Sequence, residues 1–369
     1  VRYGAARRWV LEATAVTADG EVARLARGEA GADTAALARF HQETAPAIRA
    51  ARDEVARRFP RTAKNTAGYA LDAWLASGDD LDLLIGSEGT LALVTDITWQ
   101  LDPIPPVRRS ILVEVPSLDE LGALIVALRA ESPSALELLD RTFLDVVRQD
   151  PPAGMTVPAA ETVVLVEMEG TAEEVAGGIA RIEATVGRLG ARAAVARTRD
   201  EEAAIWALRH AASPILARLP ETRRSMQLVE DGCVPLDRLG DYIRLLRDAA
   251  ARRELPIVLF GHAGDGHVHA NLLPDVTALG WEQAVESLFD EVSAGVLALG
   301  GTPAGEHGDG RLRAPLVERL YGPVVMALFR GVKEAFDPLS ILNPGVILPA
   351  RGEGPLSHLK VGAGAAPIP

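Results

Sequence analysis

Three of the seven histidines in this 369-residue chain fall between positions 262 and 269, within the stretch FGHAGDGHVHANLL at 260–273. Imidazole is the commonest metal ligand and a general base matched to neutral pH, so this clustering points to chemistry. An apolar run from Ile257 to Phe260 enters a Gly-Asp-Gly turn, and an alternating run leaves it, which is the pattern of a β-hairpin. Along the outgoing strand, His267, His269 and Asn271 share one face while Val268, Ala270 and Leu272 take the other. With Ala263 to Gly266 as the loop, His262 lies opposite His267 and diagonal to His269, roughly 7–8 Å away at the backbone. Two imidazoles reaching inward from there could share one metal at ~2.1 Å each.

A second polar cluster, Gly305-Glu306-His307-Gly308-Asp309-Gly310, has the glycines that allow adjacent Glu and His side chains to point into one cavity. His262, His269 and Glu306 would form a three-ligand metal site with an open position, the arrangement of a catalytic rather than a structural centre. His307 would remain as a base beside a cation that acidifies a bound hydroxyl. The competing reading is a set of turn-stabilising polar residues on an exposed loop. Gly86-Ser87-Glu88-Gly89-Thr90, after the apolar run Leu81 to Ile85, would let backbone N–H groups approach a phosphate or a ring. Its spacing matches neither a dinucleotide fingerprint nor a P-loop, and an ordinary structural turn is equally open. On a helix, Ile205, Arg209 and Ser213 fall along one face. Arg209 there is either a snorkelling surface residue or a carboxylate clamp, and Arg223 and Arg224 are open in the same way.

These residues need a scaffold, and the composition describes one. The apolar fraction of 48% with 24% charged residues is globular, and the length favours two domains. A net charge of −13 argues against nucleic acid and anionic membrane surfaces as bulk partners. The single cysteine, Cys233, excludes an intrachain disulfide or a cysteine-built iron–sulfur or zinc site within the chain and reads as a small buried hydrophobe. No apolar run reaches the ~20 residues of a membrane span. A cytoplasmic setting is expected, with peripheral contact at the inner face of the membrane as a variant.

Strands are expected around the turn Ala18-Asp19-Gly20, and a helix over 33–58 is expected to kink or split at Pro46. Leu81 to Ile85 reads as a buried strand, and the three prolines of DPIPPV at 102–107 as a domain boundary. Beyond them the expected elements are strands at 110–115, 135–140, 163–169 and 226–229. Helices are expected at 117–130, 171–190, 201–219, 236–253, 281–299 and 314–336. This is the pattern of an α+β domain with a mostly antiparallel sheet.

Taken in order, VRYG, WVLEATAVTADGEV, KNTAGYALD, DLLIGSEGTLALVT, GHAGDGHVHANL, GEHGDGRLR and FDPLSILNPGVIL identify the chain as similar to the FAD-linked oxidases of the vanillyl-alcohol oxidase (PCMH-type) superfamily. It most resembles the branch that oxidises D-lactate, D-2-hydroxyglutarate and glycolate. The resemblance implies an α+β fold: the second half of a PCMH-type FAD-binding domain at 1–104, and an α+β cap domain with a large antiparallel sheet at 105–310. Helices at 311–348 would return to the FAD domain, and 349–369 would form an extended tail. It implies FAD contacts from Lys64, Asn65, Tyr69, Gly86, Ser87, Glu88, Gly89, Thr90 and Asn343. It further implies a divalent metal (zinc or similar) on His262, His269 and Glu306, with His307 as the base. Arg209, Ser213, Arg224 and Asn271 would hold a small 2-hydroxy acid, and an iron–sulfur module or other carrier would take the electrons.

Two departures stand out. Position 267 is His where relatives commonly carry Asn, and the family's Gly-rich pyrophosphate segment would precede Val1. Two other functions therefore compete with the dehydrogenase: a cofactor-incomplete half of such a flavoprotein, and a His/His/Glu metallohydrolase.

Overall fold

Strand pairing in the computed structural model sorts ten strands into a sheet of three and a sheet of seven, among the described residues 2–29, 31, 33–151, 155–220, 222–350, 352 and 356–357. The two sheets belong to separate compact units, one built from Gly4–Asp102 and Thr302–His358, the other containing Pro103–Gly301. The chain leaves the first unit at the proline-rich stretch and re-enters it between Gly301 and Thr302, so the GEHGDG segment belongs to the discontinuous unit. Nearly all of the stretch 349–369 lies outside the described residues.

In the discontinuous unit, β1 (Val10–Thr17) pairs antiparallel with β2 (Val22–Ala26) on one side and β3 (Ala92–Trp99) on the other. Gly20, at φ +79°, makes the tight return between β1 and β2. The expected helix over 33–58 is split as Pro46 suggested. Helical turns at Ala35–Arg39 and Ala45–Ala50 flank a wider π-turn at Phe40–Thr44, and Arg52–Arg58 follows. The wide turn absorbs the ladder bond that Pro46 cannot donate.

Leu81 to Ile85 is not the strand expected. Leu81–Leu84 forms a short helix whose four residues are all buried, and a run buried on every side shows no period by which strand and helix could be told apart. The long helix Gly310–Phe336 is interrupted at Gly322 (φ +74°, ψ 173°), immediately before Pro323. Phe40, Trp74, Tyr69, Tyr321 and Phe329 are fully buried and form the aromatic centre of this unit's core.

One ion pair ties three segments of this unit together. Lys333 Nζ donates to Asp337 Oδ2 at 2.6 Å, to the carbonyl of Thr90 at 2.7 Å and to that of Leu342 at 2.6 Å. The Asp337 carboxylate also accepts from the N–H groups of Ile341 (3.0 Å) and Leu342 (2.7 Å). The Gly86–Thr90 turn and the FDPLSILNP segment are thus anchored to one helix turn.

The other unit carries a sheet in the order β7-β4-β6-β5-β9-β10-β8, every neighbouring pair antiparallel. The strands are β4 (Val107–Val115), β5 (Ala135–Asp140), β6 (Thr162–Gly170), β7 (Arg192–Val195), β8 (Gly232–Cys233), β9 (Ile257–His262) and β10 (His267–Leu272). The helices Leu118–Ala130 and Ala172–Arg188 begin at the expected caps, Ser117 and Thr171, the latter in a full capping box with Glu174.

Two expectations fail here. Met226 to Val229 is no strand: Met226 makes only an isolated bridge to Leu272 before the chain turns toward β8. The helix over 201–219 is broken into Arg199–His210 and Ala212–Ala217, because Pro214 cannot donate to the carbonyl of His210. Arg209 and Ser213 therefore do not share one continuous helix. Among the described residues no helix is long and apolar enough to cross a membrane.

Replacing Asp337 by Ala strands the Lys333 ammonium in a site where its own side chain is 13% exposed. It should lower the unfolding free energy by about 3 kcal/mol. Burial alone would raise the Asp337 carboxyl, but Lys333 and the two N–H groups outweigh it and hold the carboxyl below the usual carboxylate range. A depressed folded value contributes stability above the ordinary carboxylate range and loses it as pH falls through that value. Urea melts of the parent should therefore weaken more steeply under acid than those of the variant; identical acid slopes would exclude Asp337 as a contributor.

Candidate functional site

The hairpin has the register that its spacing implied. His267 pairs with His262, His269 with Phe260 and Asn271 with Val258, through a loop closed by Gly266 in the left-handed region at φ +69°. Strand alternation places His267, His269 and Asn271 on one face, all buried, while the His262 side chain is 26% exposed.

The imidazoles meet nitrogen to nitrogen. His262 Nε2 lies 3.3 Å from His269 Nε2. The opposite side of each ring fixes its tautomer. His269 Nδ1 lies 3.2 Å from the carbonyl oxygen of Glu230, which can only accept, so Nδ1 carries the hydrogen. His262 Nδ1 lies 2.7 Å from Glu137 Oε1, an ionised carboxylate, and donates in the same way. Both Nε2 atoms then present lone pairs to each other. Facing lone pairs at that distance repel unless a proton or a cation lies between them. Two ligand nitrogens at ~2.1 Å from a tetrahedral ion are about 3.4 Å apart, so the pair fits a divalent metal.

Glu137, on β5, escaped the sequence reading and organises this corner. Its Oε2 accepts from Arg209 Nε at 2.9 Å, while Oε1 holds His262. Burial alone would raise the Glu137 carboxyl, but the hydrogen bonds from His262 and Arg209, with the charge of Arg209, outweigh it and hold it below the usual carboxylate range. The Arg209 guanidinium stacks over Phe260 at 4.7 Å from the ring centroid. Its side chain is only 14% exposed, so the surface alternative for Arg209 is excluded. Its Nη atoms make no hydrogen bond within the described residues and remain for an anionic group. In the sequence Glu137 stands between leucines in the strand ALELLD.

The remaining residues of this unit are less committed. Asn271 is buried and its Oδ1 accepts from Ser225 Oγ at 3.2 Å. Arg224 and Ser213 are exposed, and neither is brought to the histidines by a hydrogen bond.

The other predicted residues lie in the discontinuous unit. Lys64 Nζ donates to Glu306 Oε2 at 2.6 Å, and His307 Nε2 lies 3.6 Å from Glu306 Oε1 with its side chain 44% exposed. Asn65 donates to Tyr321 Oη at 2.9 Å and accepts from Thr302 Oγ1 at 2.8 Å. Tyr69 Oη is 2.8 Å from Thr90 Oγ1, and the ring is buried; burial pushes the phenol well up. Those polar atoms hold the loop together. Ser87 and Thr90 are buried as well, whereas Gly86 faces solvent and a side chain on Gly89 would meet no atom within 4 Å.

Glu88, at φ +53°, turns its carboxylate onto the N–H groups of Asp309 (2.8 Å) and Gly310 (2.9 Å), where the helix Gly310–Phe336 begins. A negative charge is favourable at that end of a helix. A Cβ at Gly308 would lie 2.7 Å from the same carboxylate, which accounts for a glycine there. Asn343 Nδ2 donates to the Glu88 carbonyl at 2.7 Å. The GSEGT, GEHGDG and NPG motifs are thus one interlocked surface whose outward backbone at Gly86 and Gly89 suits close approach by a flat ring.

A family model for FAD linked oxidases, C-terminal domain, matches residues 104–347. The chain is 32% identical over 299 residues to the glycolate oxidase subunit GlcD of Bacillus subtilis, covering 80% of this chain and 60% of that one. It is 27% identical over 349 residues to the D-lactate dehydrogenase of Archaeoglobus fulgidus, covering 94% of this chain and 66% of that one. It thus spans roughly 60 to 66% of the length of these relatives. A solved structure of 4-ethylphenol oxidase from Gulosibacter chungangensis, bound to isoeugenol, superposes with a TM-score of 0.63 at 15% identity. That match covers 95% of this chain and 68% of that one, and it is a likeness of fold.

Removing the Glu137 carboxylate should free the His262 ring. In Glu137→Ala, Zn²⁺ affinity measured by competition with a chromophoric chelator should fall by ~10- to 100-fold. An unchanged affinity would show that Glu137 does not orient His262.

Proposed function

The chain belongs to the FAD-linked oxidases, and we propose that it oxidises a small 2-hydroxy acid of the D-lactate, glycolate or D-2-hydroxyglutarate type to the 2-oxo acid. The observation that carries this reading is the His262–His269 pair, whose facing nitrogens call for a cation beside an arginine with donors to spare. The relatives act on glycolate and D-lactate by name, which supports the substrate class.

In this reading Arg209 holds the substrate carboxylate through its Nη atoms, a charge-assisted contact in a site already shielded by Phe260. Asn271, Ser213 and Arg224 are the further groups assigned to the substrate carboxylate and hydroxyl. His262, His269 and Glu306 would hold a divalent cation of the zinc type, whose chemistry would be to acidify the substrate hydroxyl. Oxidation removes a hydride from C2 and a proton from the hydroxyl, and His307 takes the proton at Nε2. FAD, when bound, supplies the hydride acceptor, held in part by the turn Gly86–Thr90, by the Lys64–Tyr69 loop and by Asn343. Lys64 donates to Glu306 and would aim that carboxylate. The electrons pass on to an iron–sulfur subunit or another carrier. The single cysteine, the buried Cys233, suits a reducing compartment, and we place the protein in the cytoplasm.

A second reading is a flavoprotein half whose cofactor site is completed by further sequence. The observation favouring it is β3, where Leu93, Val94, Ile97 and Trp99 are each between 44% and 58% exposed, on both faces of the strand. Water-exposed apolar residues on both faces of a strand suit a covering layer.

The intact protein should carry a yellow flavin absorbance that bleaches when a D-2-hydroxy acid is added without oxygen. Protein that holds no flavin favours the second reading, and flavin that no 2-hydroxy acid bleaches refutes the substrate class. His307→Ala should keep its metal and flavin yet lose ~10²- to 10⁴-fold in kcat. Full turnover in that variant would remove His307 as the base.

A further inference from the structure

We propose that His267 is a third imidazole donor to the cation bracketed by His262 and His269, making the hairpin itself a three-histidine site. The inference rests on the reading that this pair binds a divalent metal, and it goes beyond it in ligand number and metal preference.

The ring of His267 is held as the other two are. Its Nε2 lies 2.9 Å from Asp231 Oδ1, and both side chains are fully buried. With Asp231 Oδ1 as the acceptor, Nε2 carries the hydrogen and Nδ1 carries the lone pair. All three rings thus follow one plan: one nitrogen donates outward to an oxygen of Glu137, Glu230 or Asp231, and the other is left as a metal donor. This is the outer hydrogen bonding that orients histidine ligands in metal sites. The rings are also close. One nitrogen from each of His262, His267 and His269 lies within 4.8 Å of the others. The His267 ring stacks on that of His262 at 24° and 5.5 Å between centroids, and meets that of His269 edge-on at 4.6 Å.

A histidine serving only as a core residue would need no such convergence with two other rings. Three neutral nitrogen donors favour borderline ions such as Zn²⁺ and Co²⁺ over the oxygen-seeking Mg²⁺ and Ca²⁺, so the hairpin would select the metal as well as hold it.

X-ray absorption at the zinc edge of the intact protein, loaded with one equivalent of Zn²⁺, counts imidazoles directly. Three are expected in the parent and two in His267→Asn, whose amide can still bond to Asp231. Co²⁺ affinity should fall at least tenfold in the same variant, with the Co²⁺ visible spectrum changed. Two imidazoles in the parent would overturn the proposal whether or not the variant folds, and so would an unchanged affinity and spectrum in a folded variant. A parent that takes up neither Zn²⁺ nor Co²⁺, with His262→Ala behaving alike, would overturn the underlying metal reading too. Metal bound through two imidazoles would overturn this proposal alone.

Discussion

Two imidazole nitrogens 3.3 Å apart, each with its hydrogen fixed on the far side of the ring, set a constraint that the surrounding unit is built to maintain. Left alone, the rings would rotate to relieve the repulsion. They are kept in place by oxygens that accept only: the carbonyl of Glu230 and the carboxylate of Glu137. The strands must also come close. A Cβ on Gly261 would lie 2.3 Å from the carbonyl oxygen of His267, and one on Gly266 would lie 2.0 Å from that of Val234. The glycines of GHAGDGH are thus part of the site, because no larger residue lets β8, β9 and β10 bring the rings together.

The discontinuous unit shows the same economy with a different anchor. Glu88 receives the N-terminus of the helix that follows GEHGDG, and Lys333 with Asp337 ties that helix's last turn to Thr90 and Leu342. Motifs far apart in sequence become one surface through carboxylates and carbonyls that meet backbone groups. Several residues that resemblance assigns to the cofactor, namely Asn65, Tyr69 and Thr90, use their polar atoms to keep that surface rigid.

The hairpin was legible in the sequence because period-two alternation and a Gly-rich turn fix both register and face. Helix starts at Ser117 and Thr171 were legible for a similar reason, since capping is local. What escaped was non-local or ambiguous in period. Leu81–Leu84 is buried on every side, so neither helix nor strand leaves a stripe. Met226 follows strand preference for a single bridge before the path of the chain overrides it. The break between His210 and Ala212 is signalled by Pro214, but the apolar spacing continues across it and masks the signal. Glu137, Glu230 and Asp231 are the larger omission. The donors of the site announce themselves by residue type, whereas the oxygens that aim them are ordinary acidic residues and a carbonyl, given meaning only by pairing across β5, β9, β10 and β8.

Glu137 also links Arg209 to the imidazole pair, which matters for the proposed reaction. Its two oxygens are divided between Arg209 and His262, so any shift in one partner is felt by the other through a single rigid carboxylate. Glu137 offsets the charge of Arg209 in the absence of substrate, which limits the cost of burying a guanidinium beneath Phe260. In the proposed reaction, a substrate carboxylate arriving on the Nη atoms adds a second negative group to that guanidinium and weakens its hold on Glu137. The carboxylate then polarises the His262 N–H more strongly, and His262 becomes a better electron donor at Nε2. In that reaction substrate binding and the donor strength of His262 would be coupled through the one carboxylate that both Arg209 and His262 share.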